Sequence, residues 1–167
     1  MTPTALDPHL AQLRAAWGPL TTATVARCRA ALAPLARALA ATDACPLTPD
    51  AELYRDPEHA FLLLTHVERE GDYRPPHDHG RAWVIYTVVR GEIEMSTYAR
   101  VVDADGPRLV RRATAPLRAG DSRAYLPGDL HDTRCLSSSV RLLRLTSRDL
   151  RREAELGHLT RYPAEPR

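Results

Sequence analysis

Between Phe61 and Thr146 the chain alternates short apolar runs with turn signals, and this rhythm limits the fold more than any other feature. The runs are Phe61 to Val67, Trp83 to Val89, Glu92 to Val102, Leu109 to Ala113, Ser122 to Leu126, His131 to Leu136 and Val140 to Thr146. Gly71-Asp72, Arg90-Gly91, Asp105-Gly106-Pro107, Gly120-Asp121 and Pro127-Gly128 punctuate them. Such runs have the length of strands, and many short strands at close spacing predict an all-β core, a barrel or jelly roll.

The flanking segments read differently. Asp7-Pro8 has the form of a helix N-cap with Pro at the first helical position, followed by Leu10, Leu13 and Trp17 at helical spacing. Gly18-Pro19 ends that segment. A second helix is expected from Thr22 to Ala41, with Val25, Cys28, Leu32, Leu35 and Leu39 as its apolar stripe and a kink or break at Pro34. An N-terminal helical layer on the outside of the sheet follows from the usual layer architectures. Residues 44–60 are rich in Pro and Asp and read as a connector. Asp149 to Leu156 reads as a short closing helix.

A chain of 167 residues is expected to be one domain: helices over 1–45, the β core over 53–147 and a tail over 148–167. A net charge of +2 is too small to imply a nucleic-acid partner. Three cysteines, Cys28, Cys45 and Cys135, make no disulfide framework, no apolar stretch is long enough to span a membrane, and no signal peptide is evident. The expected location is therefore the cytoplasm.

The residues that carry chemistry lie in Pro76-His77-Asp78-His79-Gly80. On a strand, alternate side chains share a face about 6.8 Å apart at Cα, so two imidazoles at i and i+2 can grip one ion. A third ligand must come from elsewhere. His131 follows Pro127-Gly128 at the start of another strand and is the natural candidate. Alone, His-x-His is a weak signal that an incidental surface loop also produces.

With these surroundings the chain resembles the cupin superfamily over residues 61–147. The first cupin motif reads G-x5-H-x-H-x(3,4)-E-x6-G. Gly71, His77, His79 and Gly91 match it, and Val84 stands where the Glu would stand. The second reads G-x5-P-x-G-x2-H-x3-N. Gly120, Pro127-Gly128 and His131 match it, with the Pro one place late and Cys135 in place of the Asn. The resemblance implies a cupin double-stranded β-helix, that is, a jelly-roll barrel, with a mononuclear metal on His77, His79 and His131.

The missing Glu narrows the comparison. A three-histidine set is similar to that of the cysteine dioxygenase-like cupins, the thiol dioxygenases, and of a diketone-cleaving dioxygenase. Three neutral imidazoles leave a divalent ion its full charge and about three open positions, which favours an anionic chelating substrate beside O2. The resemblance implies Fe(II); imidazole ligands also suit Zn, Ni, Cu or Mn. The expected function is a non-haem Fe(II) dioxygenase that adds O2 to a small anionic chelating molecule. The alternatives are C–C cleavage of a dicarbonyl, a redox-neutral isomerase or hydrolase, and a non-catalytic small-molecule-binding cupin. Cupins often dimerise through sheet edges, so a homodimer is a further expectation.

Other candidates for the pocket are weaker. Arg55 is the nearest match to the arginine that binds the substrate carboxylate in the thiol dioxygenases, with a shorter connection to Phe61 than in that family. The Ser-x-His-x-Tyr triad of those enzymes falls on Leu142, Arg144 and Thr146, so all three members are absent, and the crosslinking Cys is replaced by Val84. Arg144 is an alternative anion clamp or a solvent-facing strand residue. Cys135 shares strand parity with His131, and Trp83 shares it with His77 and His79. Each is a candidate for the pocket or for the core. Tyr86 and Tyr98 are candidate pocket hydroxyls. Asp78 and Asp132 point away from the ligand face, and His9, His59, His66 and His158 read as structural or exposed.

Overall fold

A computed structural model describes residues 3–42, 51–104 and 106–163. Cys45 and the first part of the expected connector lie outside the described residues. Two helices lead. α1 (Pro3–Ala16) and α2 (Thr22–Ala40) pack side by side, and the Thr21 hydroxyl caps α2 by accepting from the Thr24 amide at 3.1 Å. Nine strands follow among the described residues: β1 (Ala51–Arg55), β2 (Leu62–Arg69), β3 (Tyr73–His77), β4 (Val84–Arg90), β5 (Glu92–Asp103), β6 (Gly106–Arg118), β7 (Ser122–Tyr125), β8 (Leu130–Cys135) and β9 (Ser139–Thr146). A closing helix, α3 (Leu150–Glu155), is capped by the Asp149 carboxylate, as its sequence suggests.

The strands form two sheets ordered β1-β2-β9-β4-β7 and β3-β8-β5-β6, with antiparallel pairing throughout. Apart from the paired neighbours β1–β2 and β5–β6, each strand is followed in the chain by one of the other sheet, so the chain winds back and forth between two facing layers. This is the double-stranded β-helix with an N-terminal helical layer.

Two apolar clusters lie on opposite faces of the first sheet. On its outer face, Phe61, Leu63, Trp83, Ile85, Leu143 and Leu145 pack against the helical stripe of Leu10, Leu13, Cys28, Leu32, Leu35 and Leu39. On its inner face, Val84, Tyr86, Val88, Val140 and Leu142 meet Ile93, Met95, Leu117 and Cys135 of the second sheet. The strict alternation of Trp83, Val84, Ile85 and Tyr86 between the clusters is strand periodicity with both faces covered.

Four sequence expectations are corrected. α1 starts ahead of Asp7-Pro8 and carries Pro8 inside it, because burial of Leu6, Leu10 and Leu13 outweighs one missing backbone hydrogen bond. α2 continues through Pro34 as one helix held by its buried stripe, so the break allowed for there does not occur. The second part of the expected connector is β1, an edge strand beside β2. The strand expected over Leu109 to Ala113 is longer, because β6 pairs with β5 along the whole of its length.

Candidate metal site and its cavity

His77 ends β3, His79 lies in the loop after it, and His131 is the second residue of β8. The β3–β8 register sets His77 directly opposite His131. β3 contains Pro75 and Pro76 and still pairs, because it is the edge strand of its sheet. The three rings converge, and one ligand atom of each lies within 4.8 Å of the other two. The Nε2 atoms of His79 and His131 are 3.3 Å apart. Two imidazole ligands about 2.1 Å from one ion stand roughly 3.0–3.4 Å from each other, so this pair already has ligand spacing. The His77 Nδ1–H donates to the Pro75 carbonyl at 2.8 Å, which fixes the tautomer and leaves its Nε2 lone pair available.

The electrostatics agree with ligation. His79 and His131 are buried and His77 is half-buried. Desolvation pushes His77 below its usual pKa, His79 down to about 3 and His131 well below its usual value; His77 lowers His79 and His131 further, and His79 adds to the effect on His131. All three are therefore neutral near pH 7, the form a metal ion requires.

The site opens into a cavity of about 750 Å³. Its walls come from the inner-facing residues of β2 (Leu62, Leu64, His66 and Glu68), from Leu142, Arg144 and Thr146 of β9, and from Tyr86. The Tyr86 hydroxyl is 3.2 Å from His79 Nε2, and Tyr86 is the direct cross-strand neighbour of Arg144. Burial raises the Tyr86 pKa, so the hydroxyl stays protonated and can donate. One side of the cavity is closed by the C-terminal segment. It adds to the edge of β3 through Asp78 N–H to the Thr160 carbonyl, 3.1 Å, and Tyr162 N–H to the Pro76 carbonyl, 2.9 Å.

The remaining expected pocket residues separate cleanly. Arg144 and Tyr86 line the cavity. Arg55 stands at its rim, about half exposed, in ion pairs with Glu52 and Asp149 at 2.9 Å each. It is held by protein carboxylates. Trp83 is outside the cavity, in the core under the helices, with its ring 4.9 Å from that of Trp17. The parity count from His79 fails because Gly80 is left-handed at φ +62 and a turn joins the Ala82 amide to the His79 carbonyl. Cys135 faces inward but lies in the inner apolar cluster, its Sγ 3.1 Å from the Ser137 carbonyl. Tyr98 turns to the opposite face of its sheet, where its hydroxyl donates to Asp132 at 2.6 Å. Asp78 caps its own loop by accepting from Gly80 and Thr160 amides at 2.9 Å.

Sequence reasoning missed His66 and Glu68. His66 is not a bystander: it is buried in the cavity wall, with Nε2 3.0 Å from Glu68 Oε1. The even parity of Leu62, Leu64, His66 and Glu68 on one strand was the available signal.

No family model and no curated protein matches the chain. Solved structures with a similar fold include cupin and double-stranded β-helix proteins. The cupin domain of Cnp3 from Schizosaccharomyces pombe is 14% identical over 65% of this chain and 66% of that one, with a TM-score of 0.48. KdgF from Halomonas sp. is 18% identical over 59% and 76%, with a TM-score of 0.46. An oxalate oxidase is 21% identical over 53% and 42%, with a TM-score of 0.42. The chain thus spans less than two thirds of the length of the Cnp3 domain and of the oxidase, and the likeness concerns the fold alone. Among the described residues no helix is long and apolar enough to cross a membrane.

Proposed function

We propose that this chain is a metal-dependent enzyme, a non-haem Fe(II) dioxygenase acting on a small anionic substrate that chelates the metal. The observation that carries the reading is the convergence of three neutral imidazoles beside a cavity whose wall includes His77, His79, Arg144 and Tyr86. The donor set fits a divalent first-row ion: three nitrogen ligands, one with a fixed tautomer, and no carboxylate among them. Bound there, Fe(II) would supply the redox chemistry that lets O2 react with the chelated substrate.

The rest falls to the chain. Arg144 offers a planar set of donors to an anionic group of the substrate, and Tyr86 offers a further hydroxyl donor next to His79. Leu64, the cross-strand neighbour of Arg144 on its other side, and Leu142 add apolar wall beside these polar groups. Arg144 lies inside the cavity beside Tyr86, whereas Arg55 stands at the rim, so Arg144 is the better-placed anion anchor. Leu142 and Thr146 flank it where the thiol dioxygenases carry Ser and Tyr, so proton handling must differ from theirs, and cysteine itself is disfavoured as substrate. A small thiol converted to its sulfinate is the most specific version, and a diketone is the rival.

Metal analysis of protein purified without an affinity-tag metal tests the reading. One equivalent of Fe(II) should bind, and His131→Ala should weaken binding at least about a hundredfold while circular dichroism stays unchanged. Wild-type protein that takes up no Fe(II), Zn(II) or Ni(II) would falsify it. With iron bound, O2 consumption against a panel of small thiols and diketones separates the two chemistries.

A further inference from the structure

Glu68 is 2% exposed and lies in the wall of the same cavity as the histidines. Its two oxygens are treated very differently. Oε1 meets the Arg74 Nε at 2.9 Å, His66 Nε2 at 3.0 Å and the Thr133 hydroxyl at 3.3 Å. Oε2 is buried and has no hydrogen-bond partner among the described residues. A buried carboxylate oxygen without a donor is costly, and most such atoms in folded proteins are satisfied.

Three donors on Oε1 hold the carboxylate in one orientation, from the arginine, the neighbouring histidine on β2 and a threonine on the opposite sheet. Among the described residues, the acceptor that stays open belongs to the only buried carboxylate of the cavity wall, because Glu52 and Asp149 are at the rim and bind Arg55. Its position relative to the metal site follows from β8. Thr133 and His131 are two residues apart on one face of that strand, about 6.8 Å at Cα. Thr133 touches Glu68, and His131 belongs to the metal site. Glu68 and Arg144 also lie on the same inner sheet face, four positions apart along β2 by the Leu64–Arg144 pairing.

We infer that Glu68 is a substrate-binding residue whose Oε2 receives an N–H or O–H donor at the end of the substrate remote from its metal-bound anionic group. The inference rests on the metal-site reading above. It makes the substrate two-poled: an anionic chelating end toward the histidines and Arg144, and an amino or hydroxyl group toward Glu68. His66 and Arg74 act as positioning residues for that carboxylate.

The test uses full-length protein loaded with Co(II), whose visible spectrum reports ligands that reach the metal. The probes are hexanoate, 6-aminohexanoate and 6-hydroxyhexanoate, which share the carboxylate end and differ only at the far end. At least one of the two polar probes should bind about tenfold tighter than hexanoate, equivalent to one hydrogen bond to a charged acceptor. The arm that gains identifies the donor as amine or hydroxyl. In Glu68→Gln the amine preference should vanish, since an amide NH2 replaces the acceptor. In Glu68→Leu either preference over hexanoate should vanish, and the Co(II) spectrum of the ligand-free protein checks that the metal site is kept. Equal affinity of wild type for all three probes, or a preference that survives Glu68→Leu, overturns the inference and leaves the metal reading standing. Failure to bind Co(II) at all overturns the metal reading and this inference together.

Discussion

Arg14 on α1 reaches the buried carboxylate of Asp56, with Nε 2.7 Å from Oδ2, and ties the first helix to the loop after β1. Tyr54 joins the same group. Burial acts to raise the Asp56 pKa. The Arg14 guanidinium, the His59 and Glu58 amides and the Tyr54 hydroxyl outweigh it and leave the carboxyl below its usual value. A depressed carboxyl stabilises the fold fully above its unfolded pKa of about 3.9, and that contribution disappears as the pH falls through the folded value. Asp56→Asn should therefore be less stable than wild type by about 1–3 kcal/mol at pH 7. Chemical denaturation at a series of pH values should show the gap narrowing below about pH 4, and a gap that widens in acid contradicts this sign.

At the scale of elements, the turn that carries the chain from β4 in the first sheet to β5 in the second depends on Gly91. Its φ is +83, and an added Cβ would stand 2.3 Å from the Ser139 carbonyl oxygen and 2.9 Å from the Val140 Cα. Both neighbours belong to the backbone of β9, which cannot move without disturbing two strand pairings. Gly91→Ala should cost more than about 2 kcal/mol, from left-handed strain plus this clash. Gly120 also has positive φ, +92, but a Cβ there meets nothing within 4 Å. Gly120→Ala should cost only about 1 kcal/mol, the backbone part alone. Thermal melts of the two variants check the ordering, and equal losses would show that the contact with β9 does not matter. The same comparison explains why Gly91 was legible as a motif position: its spacing from His77 reflects the length of β4 and the tightness of this turn.

For the whole molecule, the decisive feature is that the first sheet separates two cores. The helical layer stabilises one face, and the cavity and histidines use the other. Leu32→Ala, in the helical core at 0% exposure, should cost about 2–5 kcal/mol by leaving a cavity. It should leave metal stoichiometry intact at temperatures where the variant stays folded. Calorimetry beside metal analysis tests this, and metal loss in the fully folded variant would show that the two faces are coupled.

Local chemistry alone determined the strand rhythm after Phe61, the helical stripe from Val25 to Leu39, and the grouping of His77, His79 and His131. The first two follow from side-chain periodicity and from turn residues whose backbone needs are strong, and the His77-x-His79 pair from strand spacing, whereas adding His131 to that pair rested on the cupin resemblance. Which other side chains enter the cavity was decided only by tertiary structure. The turn at Gly80 breaks the alternation between His79 and Trp83 and sends Trp83 to the outer core. Pairing of β1 beside β2 makes a strand of a stretch with little pattern of its own, and places Arg55 beside Asp149. Contact between β2 and β8 brings Glu68 to Thr133, 65 residues away in sequence. Parity holds only within an unbroken strand, while register between strands is set by the pairing of the whole sheet. The His77-x-His79 pair was therefore readable within one short stretch of chain, and the wall opposite the three histidines was not.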